Sequence, residues 1–139
     1  MEVSSKIRSI LWEGVNSDNV DKVANVLKEN DVDPNDVIFC GCYTLLYCAK
    51  SKKMVKMLLD CGAEPDNLFR GNTPSPVTRL FTSSLYTEES FEMLKMMVNA
   101  GAIVNSEIMY YAETMYASDE KRQKLKDDTI EFLKKHKCY

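Results

Sequence analysis

Apolar residues return along this chain at helical spacing, in short bursts separated by polar turns. Val3, Ile7, Ile10 and Leu11 fall on one helical face with Trp12 beside them, and Gly14 followed by Asn16, Ser17 and Asp18 breaks that pattern. Asp18 has the side chain of an N-cap, an oxygen able to accept from an otherwise unpaired first-turn amide. The helix it would open runs to about Glu29 and carries Val20, Val23, Ala24 and Leu27 on one stripe. Thr44 precedes a short apolar run, Leu45 to Ala49, and Lys50 to Lys53 form a polar turn before the stripe Met54, Val55, Leu58 and Leu59. Val77, Leu80 and Phe81 follow Pro74 and Pro76, and Phe91, Leu94, Met97 and Val98 follow a Thr87 cap with Glu88 and Glu89 at the positive helix end. Ile108, Met109, Ala112, Met115 and Tyr116 predict a further helix. A last one starts at a Ser118 cap with Asp119 and Glu120 in its first turn. Its inward stripe is Leu125, Thr129, Phe132 and Leu133, and Lys134, Lys135, His136 and Lys137 complement the negative end of its dipole. Glu120 with Lys124 and Glu131 with Lys135 are expected as weak surface pairs along it.

The helix stops repeat in register. Gly62-Ala63 and Gly101-Ala102 stand where a glycine ends a helix at no steric cost, and Asp31-Val32 occupies the same place as a less suitable stop. Val23, Met54 and Met93 are equivalent, as are Val26, Met57 and Met96, and Leu27, Leu58 and Met97, at steps of 31 and 39 residues. Residues 36–43 (DVIFCGCY) and 67–72 (NLFRGN) read as extended fingers between helix pairs. Exposed tips would present Ile38, Phe39 and Tyr43; the competing reading tucks one or two of them against the next pair. Gly71-Asn72-Thr73-Pro74 is a turn-then-helix signal, and residues 82–87 (TSSLYT) lengthen the link that follows.

Residues 43–66 read YTLLYCAKSKKMVKMLLDCGAEPD. Thr44, Leu46 and Ala49 match the opening of an ankyrin repeat, and Leu58, Leu59, Gly62, Ala63 and Asp66 match its closing, so the stretch resembles that family. Leu45 stands where the family has Pro, Tyr47 where it has His and Lys50 where it has the last Ala. The two steps bracket the family period of ~33 residues. The resemblance implies an all-α, ankyrin-repeat-like solenoid of about four stacked helix-turn-helix pairs with short finger loops. One domain would span residues 1–139, with units 1–35, 36–66 and 67–105 and a capping pair 106–139. One helix pair is too small to bury its own apolar face, and a polar last helix suits the open end of a stack.

Composition narrows the function. The chain has 139 residues, the size of one domain. Its net charge of −3 comes from 18 basic and 21 acidic residues, a mixed surface that argues against nucleic acid as the main ligand. No apolar run approaches the length of a membrane span, the first residues lack the apolar core of a secretory signal, and several cysteines sit in apolar helical runs as small hydrophobes. A soluble protein in the reducing cytoplasm is the expectation. The single histidine, His136, gives little material for a hydrolytic triad or a histidine metal site. Cys40-x-Cys42, with Cys48 and Cys61, lacks further metal-ligand spacing, and a disulfide within the pair would close a strained loop. No catalytic, cofactor or metal residue is expected. The eight methionines read as core filler ahead of an adaptable groove, and Lys50, Lys52 and Lys53 as a solvated turn ahead of an anion-attracting patch.

The resemblance implies a monomeric protein-binding module whose concave face and finger tips grip another protein. Ile38, Phe39, Tyr43 and Tyr47 in one unit, and Phe69, Arg70 and Asn72 in the next, are the expected partner-binding residues. Aromatic and arginine side chains suit interface hot spots. Two alternatives are a small antagonist, immunity-type or pathogen-encoded, that occludes a partner's functional surface, and a structural subunit that associates with itself.

Overall fold

Helix starts along the chain are held by short polar side chains that accept from amides of the first turn. The computed structural model describes residues 3–40, 43–66, 75–83 and 86–139, the side chains of 82 and 83 excepted. Among them are eight α helices: α1 Ser5–Asn16, α2 Val20–Glu29, α3 Leu45–Cys48, α4 Lys52–Asp60, α5 Pro76–Ser83, α6 Glu88–Asn99, α7 Ser106–Thr114 and α8 Glu120–His136. The chain is therefore mostly helical, an all-α fold with one small ladder between β1 (Ile38–Phe39) and β2 (Tyr43–Thr44). Ser4, Asn19, Thr44, Ser51, Thr87, Asn105 and Asp119 cap seven of the helices. Thr87 and Ser90 form a reciprocal capping box. Two caps differ from expectation by one residue. Asp18 is spent as the left-handed residue (φ 55°) that ends α1, so Asn19 caps α2, accepting from the Lys22 amide. Asp119, not Ser118, caps α8, because its carboxylate accepts from both the backbone N–H and the Nη1 of Arg122. Those bonds to Arg122 also hold the Asp119 carboxyl below the usual carboxylate range. Pro74, expected at the first position of a helix, lies outside the described residues; the described helix begins at Pro76.

α2, α4 and α6 end in the same way. The amide of Val32 donates to Leu27 O, that of Ala63 to Leu58 O and that of Ala102 to Met97 O, at 2.9, 2.9 and 3.0 Å. Each closes over a left-handed residue, Asp31 (φ 51°), Gly62 (φ 93°) or Gly101 (φ 118°). This is the helix stop in which a residue past the end satisfies a carbonyl one turn back. Gly14 does something else. It lies inside α1 and is buried, and a Cβ there would meet Val23 Cγ2 at 2.8 Å. The glycine expected to break the helix instead admits the side chain of α2 against its backbone.

The helices pack in two rows. α1, α3, α5 and α7 each touch the next in that order, and so do α2, α4, α6 and α8. Rungs join α1 to α2, α3 to α4, α5 to α6 and α7 to α8. One core runs between the rows, with Leu11, Val15, Val23, Leu45, Leu46, Met54, Leu58, Leu94, Met97, Ile108 and Leu133 almost fully enclosed. Met54, Met93, Met97 and Met109 are buried, filling gaps as unbranched side chains can.

Polar contacts tie successive pairs together. Asn35 donates through Nδ2 to Gly62 O at 2.9 Å and accepts on Oδ1 from the Glu64 amide at 2.7 Å. Ser51 donates to Asp18 Oδ1 at 2.8 Å, and Lys50 Nζ donates to Asn16 O at 2.9 Å. Glu89, expected only to favour the start of its own helix, accepts from the Lys52 amide at the start of α4 (2.8 Å). On α8, Lys135 reaches Glu131 at 3.8 Å, whereas Lys124 pairs with Asp128 rather than Glu120. Such exposed pairs stabilise by a few tenths of a kcal/mol. The chain's last turn returns to α7's entry, where the Cys138 amide donates to Val104 O at 3.0 Å.

Asp31 carries two penalties that its counterparts Gly62 and Gly101 lack: a Cβ in left-handed backbone and a negative charge at a helix's negative end. Replacing Asp31 by Gly is expected to raise the unfolding free energy by about 1 kcal/mol, and Gly62→Ala to lower it by about as much. Urea titration followed by circular dichroism checks both signs.

Candidate functional site

Among the described residues, a run of aromatic contacts crosses the first three helix pairs. Trp12, near the end of α1, is 43% exposed and meets Phe39 edge-on at 4.9 Å. Phe39 opposes Tyr43 across the β1–β2 ladder, which places both side chains on one face of the hairpin. Tyr43 stacks on Tyr47 of α3 at 4.9 Å, and the Arg79 guanidinium of α5 lies 5.6 Å over the Tyr47 ring. Arg79 Nη1 also donates to Tyr47 O at 2.7 Å. Local sequence explains the placement. Thr44 ends β2 and caps α3 in one residue, so Tyr43 leaves the strand and Tyr47 completes the first turn of the helix.

Beside this run lies a cleft of about 250 Å³, lined by Leu46, Tyr47, Lys50, Arg79, Met93 and Met97 among others. Burial pushes the nearby Cys48 thiol up, against the opposing pull of Arg79 and Lys50. Cys40, Cys61 and Cys138 are exposed free thiols. Among the described residues no three or more His, Cys, Asp or Glu side chains gather as a metal site would need, and no helix is long and apolar enough to cross a membrane. His136 shares a 2.9 Å hydrogen bond with Phe132 O and lies against the Phe132 ring.

A second aromatic group joins α5, the turn before α6 and α7. Phe81 packs on Tyr86 and on Tyr111, and Tyr86 Oη donates to Ala112 O at 2.6 Å. Beyond it, Ile103, Tyr110, Tyr116 and Tyr139 are well exposed toward the C-terminal end.

The residues expected at a partner surface are distributed unevenly. Tyr43 and Tyr47 are half-buried and in mutual contact, and Ile38 is half-buried on β1 opposite Thr44. Phe39 does not present its ring: at 5% exposure it supports Trp12 from beneath. Phe69, Arg70 and Asn72, like Cys42, lie outside the described residues. The three lysines of the polar turn part company: Lys50 reaches Asn16 O, the Lys52 amide meets Glu89, and Lys53 lines an open groove with Asp18 and Asp21. Trp12, Arg79 and Tyr110 were not expected. Tyr110 was within reach of the sequence, since Ile108, Met109 and Ala112 define the inward face of α7 and Tyr110 falls off it. Arg79 was not, because its partner Tyr47 is 32 residues away.

Comparison with protein-family models, with curated proteins and with solved structures found no match for this chain.

Burial pushes the Tyr86 hydroxyl from its ordinary 10 up to about 12. The unfolded chain therefore ionises there first as pH rises, so the group's contribution to stability is intact below pH 10 and is lost between 10 and about 12. The full loss is about 2–3 kcal/mol. Tyr86→Phe is expected to be about 1–2 kcal/mol less stable at neutral pH, having orphaned Ala112 O, and to lack that alkaline decline. Denaturant midpoints of both proteins across the alkaline range provide the comparison.

Proposed function

We propose that this chain is a non-catalytic protein-binding module, a solenoid of ankyrin-like helix pairs that engages its partner through the aromatic run from Trp12 to Arg79. The solenoid reading draws support from the three equivalent helix stops at Val32, Ala63 and Ala102 and from the two rows of successively touching helices. The binding reading is carried by one observation: Trp12 rests on the buried Phe39, which lies across the ladder from Tyr43, Tyr43 stacks on Tyr47 and Arg79 lies over Tyr47, so three successive pairs contribute to one surface that leaves a tryptophan nearly half exposed. Rings of this kind, backed by rigid neighbours, give large contact area at low entropic cost, and Trp, Tyr and Arg dominate measured hot spots. An oligomer through the C-terminal pair is a second reading, favoured by the exposure of Ile103, Tyr110, Tyr116 and Tyr139.

Capture from native lysate with Trp12→Ala/Tyr43→Ala as the control, its fold checked by circular dichroism, tests the first reading. The expected outcome is a small set of proteins bound by the wild type and depleted at least about tenfold on the double variant, the loss of roughly 1.4 kcal/mol or more that two hot-spot rings supply. Equal capture by both proteins, or none, rejects this surface. Light scattering under reducing conditions addresses the second: a dimer that Tyr110→Lys dissociates would move the interface to the C-terminal pair.

A further inference from the structure

Charge is treated differently in the two rows of helices. Along α2, α4, α6 and α8 it is paired: Lys56 with Asp60, Lys95 with Glu92, Lys124 with Asp128, and Lys121 of α8 with Glu88 of α6. Glu13 of α1 reaches across to that row, at Lys22. Arg8 of α1, Lys50 of the α3–α4 turn, and Glu107 and Glu113 of α7 have no ionic partner among the described residues. Arg8 Nη2 donates to the Val3 carbonyl and Lys50 Nζ to the Asn16 carbonyl, contacts that position each cation without neutralising it.

These four charges bracket two exposed rings. Arg8 lies one turn before Trp12, and Lys50 is bonded to Asn16, one turn after it. Trp12 therefore stands between cations. Glu107 and Glu113 lie three residues to either side of Tyr110, which is 63% exposed, so Tyr110 stands between carboxylates. Both rings leave the side of the helix opposite its core contacts, because two residues are about 200° around a helix. Gly14, two residues after Trp12, packs against Val23 of α2. Ile108 and Ala112, two residues to either side of Tyr110, are buried. α1 and α7 are the first and last helices of one row, so the two rings mark its two ends.

We propose that this chain forms an antiparallel homodimer in which the Trp12 end of each row meets the Tyr110 end of the other copy's row, with Arg8 and Lys50 facing Glu107 and Glu113. The occupant is argued from charge complementarity: the charges around Trp12 are opposite in sign to those around Tyr110, and one molecule carries both patches. A two-fold axis near the middle of the row makes both contacts at once and closes the assembly. The rings supply apolar contact area, and the charges decide which ring meets which. Trp12 on Trp12, or Tyr110 on Tyr110, would set like charges face to face. The inference goes beyond the partner-binding reading and does not rest on it, since the dimer covers Trp12 with a second copy.

Analytical ultracentrifugation of the full chain under reducing conditions tests this. At low salt the wild type is expected to sediment as a dimer, weakened at least about tenfold by high salt, which screens exposed charges. Trp12→Ala, Arg8→Glu/Lys50→Glu and Glu107→Lys/Glu113→Lys are each expected to weaken it at least about tenfold. An equimolar mixture of the two charge-reversed variants is expected to recover a heterodimer, because opposite signs then meet at both contacts. Mixing would not rescue a merely damaged fold. Glu107 and Glu113 are exposed, so their reversal decides if Arg8→Glu/Lys50→Glu does not fold: loss of the dimer supports the proposal and retention overturns it. A wild type that is monomeric at about 0.5 mM, or a mixture of folded variants that stays monomeric, also overturns it. So does mass that grows past the dimer with concentration, the mark of an open head-to-tail chain. A dimer lost on Tyr110→Lys but kept by Arg8→Glu/Lys50→Glu overturns it in favour of an interface within the C-terminal pair. A monomeric wild type that still captures a partner through Trp12 overturns the dimer alone, and a charge-dependent dimer that captures nothing supports the dimer while rejecting the partner surface.

Discussion

A left-handed residue just past each of α2, α4 and α6 shapes this fold. It reverses the chain within one turn while satisfying a carbonyl that would otherwise lose its partner, and so fixes the direction in which the chain leaves those three helices. The stop recurs at Asp31, Gly62 and Gly101, and the helices it ends, α2, α4 and α6, touch one after another. A single pair of this size is too small to bury its own stripe. The core is a property of the row, and Met54, Leu58, Leu94 and Met97 are enclosed because neighbours on both sides exist.

The polar contacts between pairs follow from the same repetition. Backbone groups left over at one turn are satisfied by side chains of a neighbouring helix pair or its turn: Asn35 reaches forward to Gly62 and Glu64, Lys50 reaches back to Asn16, and Glu89 reaches back to the first amide of α4. Each bond is of modest net worth, about 1 kcal/mol. Their more important effect is on register, since sliding one pair past another would break several at once. A rigid register is what allows rings from α1, the hairpin and α3 to meet as one surface although each comes from a different element.

Much of this was legible in the chain. The apolar stripes, the glycine stops and their equivalence at Leu27, Leu58 and Met97 rest on local periodicity, which tertiary structure reinforces here. The illegible parts involve distance or backbone angle. Asp18 has the chemistry of a cap, and only its positive φ makes it a helix stop. Gly14 reads as a breaker until Val23 is seen to occupy the space a Cβ would need. At the surface, residue type was readable and orientation was not. Tyr43 and Tyr47 do meet, but whether Phe39 faced solvent depended on Trp12, 27 positions earlier and in another unit. Arg79 was hidden because nothing within α5 marks it as a companion of a tyrosine on α3.

The contact at Gly14 divides the first helix into positions with very different freedom to change. A methyl group there would wedge α1 from α2 and swing the Trp12 end of the helix away from the hairpin it leans on. Trp12 itself, two residues earlier, is partly exposed and meets the hairpin at Phe39. Lineages of this protein could therefore exchange the tryptophan to follow a changing target while the glycine stayed frozen: variability and constancy would sit half a helical turn apart.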